Sequence, residues 1–346
     1  MQGPLKVAVL GTGRMGCGII RLLFQKKGLE LTGVYGRRTD RAGIDIGKAV
    51  GLAEEIGIKI SNDLPALLKK AKAHVVIQAT CSRVSEAAEE IRTALHQGAN
   101  VISIAEEMAY PACQSPLIAK ELHALALQKK VTVLGTGINP GFVLDLLVIA
   151  LTGVCWKVES ITAKRVNDLS PYGPSVLAAQ GVGVTPEAFQ KGVAEGSIVG
   201  HMGFPESIGM IAKALGWEID RIEEIRSPIV SRVKRETPFV KIEPGLTAGC
   251  NHTALAYRDG NPVIHLVHPQ QVHPHLEGVE TGDSIKIEGE PNVHFSGSPE
   301  IPGGIGTIAL AVNMIPHVVN APPGLKSMAD LPVPAAFMGD IRTLLQ

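Results

Sequence analysis

The sequence predicts an α/β protein in which an N-terminal, doubly wound parallel sheet is joined to a second, α+β domain built on a mixed or antiparallel sheet. Three features of the chain point to this. The apolar run Lys6-Val7-Ala8-Val9-Leu10 passes directly into the glycine turn Gly11-Thr12-Gly13-Arg14-Met15-Gly16 and then into a helix-like stretch up to Phe24. Strand and helix signals alternate up to about residue 140, the rhythm of successive βαβ units and hence of parallel strands. Beyond about Val154 strands dominate, with one helical region between residues 185 and 215, the pattern of an α+β domain with antiparallel pairing.

In a turn so placed, Gly11 permits the tight bend, Gly13 lets the backbone approach a pyrophosphate, and Gly16 lets helix and strand pack closely. The free N–H groups and dipole of the helix start then face the anion. Strand, glycine turn and helix are the opening of a Rossmann domain, so residues Gly11, Thr12, Gly13, Arg14, Met15 and Gly16 form the candidate cofactor turn. The second strand, residues 29–35, bears on which dinucleotide binds. NAD-selective sites usually end this strand with Asp or Glu, which binds the ribose 2′-hydroxyl. Here it ends in Gly36-Arg37-Arg38-Thr39, with no acid before Asp40. Two guanidiniums in place of a carboxylate suit a 2′-phosphate, so NADP(H) is the expected cofactor, with NAD also usable. The bland alternative is that Arg37 and Arg38 are solvated loop charges, with Asp40 partly replacing the missing acid.

At 346 residues the chain suits two domains, or one domain with a large insertion. Lys plus Arg number 33 and Asp plus Glu also 33, so no charge excess favours nucleic acid or an anionic membrane, and neither partner is expected. A strand begins within a few residues of the N-terminus, leaving no room for a signal peptide. No apolar run reads as long enough to span a bilayer without interruption. The five cysteines (Cys17, Cys81, Cys113, Cys155 and Cys250) are scattered and lack a CxxC, which suits reduced thiols and a cytoplasmic location.

After the second strand, residues 49–56 read as a helix and Ile58-Lys59-Ile60 as a short strand. A helix over 63–71 follows, opened near Asn62 by a capping-type polar residue. Residues 74–79 are a buried strand ending in Thr80-Cys81-Ser82. A helix over 85–97, a strand over 100–104, a helix over 115–129 and a strand over 131–134 complete the series. In the second part strands are expected at 159–166, 226–233, 247–258 and 263–268. A last helix, 304–315, follows the turn Ile301-Pro302-Gly303 and is assigned back to the nucleotide domain. The expected division is therefore 1–150, 151–302 and 303–346.

Ligands of a doubly wound sheet bind beyond the carboxyl ends of its strands. Those ends carry Thr80, a candidate cofactor contact, then Glu106-Glu107, then Gly135-Thr136-Gly137-Ile138-Asn139-Pro140-Gly141-Phe142. Two adjacent carboxylates here can hold an ammonium or pass a proton, and like-charge proximity raises a pKa. The alternative is that they cap or flank the next helix. Asn139, in its Gly/Pro-framed loop, either contacts substrate and cofactor or fixes the turn. Period-2 alternation puts Arg165 and Asn167 on one strand face. Arg165 either clamps a carboxylate or is a structural ion-pair partner. The histidines from His265 to His275 match no zinc spacing, and no metal is expected.

Together, the glycine turn, Val101-Ile102-Ser103-Ile104-Ala105-Glu106-Glu107, Gly137-Ile138-Asn139-Pro140-Gly141-Phe142 and Arg165-Val166-Asn167 resemble the 2,4-diaminopentanoate dehydrogenase family. That family includes the native NAD(P)-dependent amine dehydrogenases. Its nucleotide domain is similar to those of dihydrodipicolinate reductase and homoserine dehydrogenase. The resemblance covers nearly the whole chain, including Gly200-His201-Met202-Gly203-Phe204-Pro205-Glu206-Ser207. It implies NAD(P)-dependent oxidative deamination of an amine to a ketone plus ammonia, and the reverse reductive amination. By the same resemblance Glu106 is the catalytic acid that binds ammonia or the iminium, and Glu107, Asn139, Phe142, Arg165, Asn167 and His265 line the substrate pocket. A carboxylate stabilises the cationic iminium that accepts hydride. A homodimer through the second domain's sheet is expected by analogy. Alternatives are a dihydrodipicolinate- or homoserine-type reductase and a non-enzymatic NADP sensor. Glutamates stand where homoserine dehydrogenases carry a lysine, and no His-His-Lys pattern of the diaminopimelate pathway is visible.

Overall fold

The computed structural model describes residues 3–346. In chain order the first elements are β1 (Leu5–Leu10), α1 (Arg14–Gln25), β2 (Leu29–Tyr35), α2 (Ile46–Val50), β3 (Ile60–Ser61), α3 (Leu64–Ala71), β4 (Val75–Gln78), α4 (Val84–His96), β5 (Asn100–Ser103), α5 (Pro116–Lys129) and β6 (Thr132–Gly135). There follow α6 (Leu146–Thr152), β7 (Lys157–Asp168), α7 (Pro174–Ala179), α8 (Pro186–Glu195), α9 (Phe204–Leu215), β8 (Arg221–Val230) and the small β9 (Arg235–Glu236) and β10 (Lys241–Ile242). The chain ends with β11 (Thr247–Arg258), β12 (Asn261–Gln271), β13 (Gly282–Glu290), β14 (Val293–Gly297), α10 (Gly303–Asn313), α11 (Ile315–Asn320) and β15 (Gly324–Lys326). It divides into two compact units: the chain up to Phe142 with Pro302–Gln346, and Val143–Ile301. The first boundary thus falls after 142 rather than 150, because α6 clusters with the second unit, where it packs against α9.

In the first unit, among the described residues, seven strands form a parallel sheet in the order β15-β6-β5-β4-β1-β2-β3. Helices on both faces require strands apolar on both faces, and β4 (VVIQ) and β6 (TVLG) are buried throughout. α1 buries Gly16, Cys17, Ile19, Ile20 and Leu23, the three-to-four spacing of one helix face. The cap of α3 is Asp63, one residue beyond the expected Asn62; its carboxylate accepts from Ala66 N at 3.0 Å. The expected helix over 49–56 is mostly absent. α2 stops at Gly51, whose φ of 78° ends it. The loop that follows is pinned by the Asp45 carboxylate, which accepts from Gly47 N (2.8 Å), Ile56 N (3.0 Å) and Gly57 N (2.8 Å).

The C-terminal segment belongs to this unit. α10 packs on α1, where an Ile308 methyl carbon lies 2.2 Å from the place a Cβ on Gly18 would occupy. The stretch Gly303–Asn320 is long and apolar enough to cross a membrane by length and composition, contrary to the sequence expectation. Here it is two consecutive helices, with α11 packing against β5 and β6, and β15 extends the sheet beside β6.

In the second unit, among the described residues, six strands form a mixed sheet in the order β14-β13-β7-β12-β11-β8, with only the β7–β12 pair parallel. Alternation puts Ile161, Ala163, Arg165 and Asn167 of β7 on the buried face. Ile264, Leu266, His268 and Gln270 of β12 are likewise buried. The helical region between 185 and 215 is two helices, since Gly196 (φ 76°) ends α8 and Gly203 (φ 115°) precedes α9.

Candidate active site

The order of the parallel sheet reverses between β1 and β4, and ligands of such sheets bind beyond the carboxyl ends at that reversal. The glycine turn sits there and its geometry fits a dinucleotide pyrophosphate. Gly11 has φ 120°, and a Cβ on it would lie 2.3 Å from the Ala79 carbonyl oxygen. A Cβ on Gly16 would lie 1.9 Å from the Gly11 carbonyl oxygen, so only glycine brings α1 this close to the strand end. A Cβ on Gly13 would meet nothing within 4 Å, and this residue caps α1 with no side chain to cover the first N–H groups. Thr12 is buried, with Arg14 and Met15 in the first turn of the helix. Arg41, not among the expected site residues, donates from Nη1 to the Thr12 carbonyl.

At the end of β2 both arginines already have partners. Arg37 donates from Nε to Glu90 Oε1 (2.8 Å) and from Nη2 to the Glu86 carbonyl (3.0 Å), while its Nη1 lies 3.7 Å from Glu86 Oε2. Glu90, on the inner face of α4, is 6% exposed, and its other oxygen accepts from Thr80 Oγ1 at 2.5 Å. Thr80, the candidate cofactor contact, thus directs its hydroxyl hydrogen to Glu90. Arg38 forms a two-point pair with Asp40 (3.1 and 2.5 Å), both side chains being exposed. That guanidinium holds the Asp40 carboxyl below its usual range.

Glu106 and Glu107 open a single turn of 3₁₀ helix (Glu106–Ala109) after β5. The turn lies directly on β6, because a Cβ on Gly135 would fall 1.7 Å from the Met108 carbonyl oxygen. Ser103 Oγ donates to Gln78 Oε1 (2.5 Å) and accepts from Ala105 N (3.2 Å), fixing the approach to the turn. The two carboxylates have different roles. Glu107 Oε2 accepts from Val84 N at 2.8 Å and so caps α4, the helix-flanking alternative to a substrate ligand. Glu106 takes a hydrogen bond from Ser82, and its pKa is raised, chiefly by burial and further by the Glu107 charge, against the lowering effect of its own backbone N–H and Ser82. A carboxyl so placed holds its proton to higher pH than a free carboxylic acid and can exchange it with a bound amine.

Asn139 sits in the loop after β6, half-buried, before a cis bond to Pro140. The loop is folded on itself: Gly141 (φ 125°) packs against the Gly137 backbone, and Thr307 Oγ1 accepts from Ile138 N at 3.1 Å. Phe142, half-buried, closes the segment.

The second unit gathers a buried polar cluster. Arg165 is 1% exposed and donates from Nη1 to Asp283 Oδ1 (2.7 Å), its direct cross-strand neighbour, and from Nη2 to the Ile301 carbonyl (2.5 Å). Arg165 thus makes the structural ion pair that was the alternative to a carboxylate clamp. Asn167 lies on the same face and donates to its neighbour's carbonyl, Asp168 O, at 3.4 Å. Of the two histidines on β12, His268 shares that face, whereas His265 falls on the other by parity, which corrects the placing of His265 in the pocket.

Two further histidines, His201 and His252, join this cluster without any expectation from sequence, although His201 lies within the family-like segment 200–207. Their rings meet His268 and Phe204, with His201 4.8 Å from each of His268 and Phe204 and Phe204 4.8 Å from His252. His252 Nδ1 accepts from His201 N (3.0 Å), and its Nε2 meets Glu224 at 2.9 Å. Burial holds His201 and His268 well below the ordinary imidazole range, and Arg165 adds to this, so both are neutral. Local sequence offers no signal for such a cluster, because its members come from separate strands and a loop.

The loop after β12 brings His273 and His275 to Asp168, with ligand atoms within 4.8 Å of one another. The His273 ring nitrogens are already bonded, to Ser170 Oγ (2.9 Å) and the Glu236 carbonyl (3.0 Å). Among the described residues no disulfide joins the cysteines.

Comparison with known proteins agrees with this architecture. Residues 5–104 match the family model of the dihydrodipicolinate reductase N-terminus, and residues 142–346 match that of the 2,4-diaminopentanoate dehydrogenase C-terminal domain. The chain is 47% identical to 2,4-diaminopentanoate dehydrogenase of Acetoanaerobium sticklandii, covering 99% of this chain and 97% of the relative. It is 26% identical to an amine dehydrogenase of Streptomyces virginiae, covering 96% and 98%. The solved amine dehydrogenase of Mycobacterium smegmatis superposes with a TM-score of 0.85 at 25% identity, covering 96% of this chain and 98% of that one. The chain is thus an oxidoreductase that belongs to the 2,4-diaminopentanoate dehydrogenase family.

Proposed function

We propose that the protein catalyses NAD(P)-dependent oxidative deamination of 2,4-diaminopentanoate or a closely related amine, and the reverse reductive amination. The observation that carries the reading is Glu106, a carboxyl with a raised pKa at the carboxyl edge of the nucleotide-binding sheet. The nicotinamide supplies a hydride acceptor. The chain's part is to hold the amine, stabilise the cationic iminium beside the Glu106 carboxylate, and take up the proton released as water adds and ammonia departs. In balance, amine, water and NAD(P)+ give ketone, ammonium and NAD(P)H.

NADP(H) is the proposed preferred coenzyme, supported by the absence of an acid at the end of β2 and by the adjacent arginines. The proposal includes a cytoplasmic location, supported by scattered cysteines. It also includes a homodimer through the outer face of the six-stranded sheet, supported by Ile225, Leu255 and Val267, apolar and incompletely buried there.

The test follows NADPH and NADH oxidation with 2-amino-4-oxopentanoate and with simple ketones, each with and without ammonium. Oxidation that requires ammonium and falls about 100-fold or more in Glu106→Gln is expected. Equal oxidation without ammonium would replace this reading with that of a different reductase.

A further inference from the structure

Independently of the catalytic reading, we propose that Asp168, His273 and His275 form a binding site for a divalent transition-metal ion such as zinc. The ion joins the end of β7 to the loop that follows β12.

The hydrogens around Ser170 show why a cation belongs here. The Glu236 carbonyl can only accept, so the His273 Nε2 that meets it at 3.0 Å carries a hydrogen. In the neutral imidazole His273 Nδ1 is then a lone pair, and it faces Ser170 Oγ at 2.9 Å. The Ser170 hydroxyl has one hydrogen for two acceptors, and the Asp168 carboxylate competes for it at the shorter distance of 2.5 Å. While Asp168 holds that hydrogen, two lone pairs face each other with no proton between them. A backbone carbonyl that fixes one ring nitrogen as donor, and leaves the other as a lone pair, is the usual outer shell of a metal-binding histidine.

The other two residues offer uncommitted atoms. The Asp168 carboxylate receives hydrogens from Ser170 N (2.8 Å), Ser170 Oγ and His273 N (3.1 Å), all at Oδ1. Among the described residues none is donated to Oδ2, and neither ring nitrogen of His275 has a hydrogen-bond partner. One ligand atom from each of the three residues lies within 4.8 Å of the others. Tetrahedral bonds of about 2.0–2.2 Å need ligand atoms about 3.3–3.5 Å apart. His275 is exposed, and a rotation of its side chain closes the set. Two imidazoles and a carboxylate suit zinc, cobalt or nickel rather than the all-oxygen shells of calcium and magnesium.

The backbone that presents these groups is fixed. His273 has φ 47°, a left-handed conformation that a residue with a side chain seldom adopts. Arg235, 1% exposed, holds it there by donating from Nη1 to Gln271 Oε1 (2.9 Å) and to the carbonyls of Val272 and His273. Arg235 also pairs with Glu277, at the end of the 3₁₀ turn Pro274–Glu277 that carries His275. Asp168 precedes His273 by 105 residues, which is why no ligand spacing marks the site in the sequence.

The experiment strips the whole chain of metal with a chelator and titrates it by calorimetry with ZnCl2 and, separately, with CoCl2. Wild type is expected to take up one equivalent with a Kd of about 10 μM or below. His275→Ala removes an exposed side chain, and Asp168→Asn keeps an oxygen for its backbone donors; each is expected to weaken uptake about tenfold or more. His294→Ala, an exposed histidine elsewhere, should stay within about twofold of wild type. Zinc should raise the unfolding midpoint of wild type and not that of His275→Ala.

No uptake by wild type, equal uptake by wild type and His275→Ala, or an equal loss in His294→Ala would overturn the site. The cation between His273 and Ser170 would then be a proton.

Discussion

Glu106 and Glu107 are adjacent in sequence and chemically identical, yet their environments give them different work. Glu107 faces the start of α4 and caps it through Val84 N, while Glu106 is desolvated and holds its proton more tightly. The Glu107 charge is one of the causes of that shift, which gives a signed prediction. In the deamination direction Glu106 must be ionised to accept a proton, so the rate rises as pH passes its raised pKa. Glu107→Gln removes the like charge but keeps an oxygen for Val84 N, so the rising limb of the kcat profile moves to lower pH. A limb that stays in place would mean that the two carboxylates do not communicate. Arg165 shows the same dependence on surroundings, since the fold seats its guanidinium on Asp283 at 2.7 Å.

At the scale of elements, the nucleotide edge depends on how closely backbones approach. α1 meets the end of β1 with no room for even one carbon between Gly16 and the Gly11 carbonyl. Gly16→Ala therefore requires the helix to move away from the strand, because the obstructing atom is backbone. The expected outcome is a loss of about 1–3 kcal/mol of stability and weakened binding of NADPH and NADH alike, read by urea unfolding and calorimetry. Unchanged binding would place the pyrophosphate elsewhere than this turn. The region after α2 shows the reverse case, where one side chain organises a loop. Asp45 collects the backbone N–H groups of Gly47, Ile56 and Gly57, of which a helix over 49–56 would have bonded that of Ile56 internally, and this makes the non-helical path stable.

At the scale of the whole molecule, the second unit carries a pH liability. His201 and His268 are neutral when folded, because burial pushes their pKa values well below the ordinary imidazole value. In the unfolded chain both protonate as pH falls below about 6.5. The unfolded state then binds more protons than the folded state, so stability is full above about pH 6.5 and is lost as pH falls further. Each such imidazole contributes a slope of up to about 1.4 kcal/mol per pH unit in that window. Unfolding midpoints measured between pH 7.5 and 5.5 should fall, and His268→Gln should flatten the fall by about one proton. A midpoint independent of pH over this range would mean that the imidazoles protonate in the folded state.

The parallel α/β unit and the glycine turn were legible in the sequence alone, because each is written in contiguous residues with a fixed period or spacing, whereas Glu106 was singled out as the acid only by resemblance to the family. β11, for example, could be read to the residue as Thr247–Arg258, since long alternation bounded by turns leaves little freedom in register. How charge is distributed among those residues, by contrast, was set by tertiary contacts. Arg37 and Glu90 are 53 positions apart, and Arg165 and Asp283 are 118 apart. The pairing of His252 with His201 spans 51. No local pattern encodes such partners. Whether an arginine's fork is free for a ligand depends on which carboxylate the fold brings beside it, and whether a histidine is charged depends on how completely the fold removes its water.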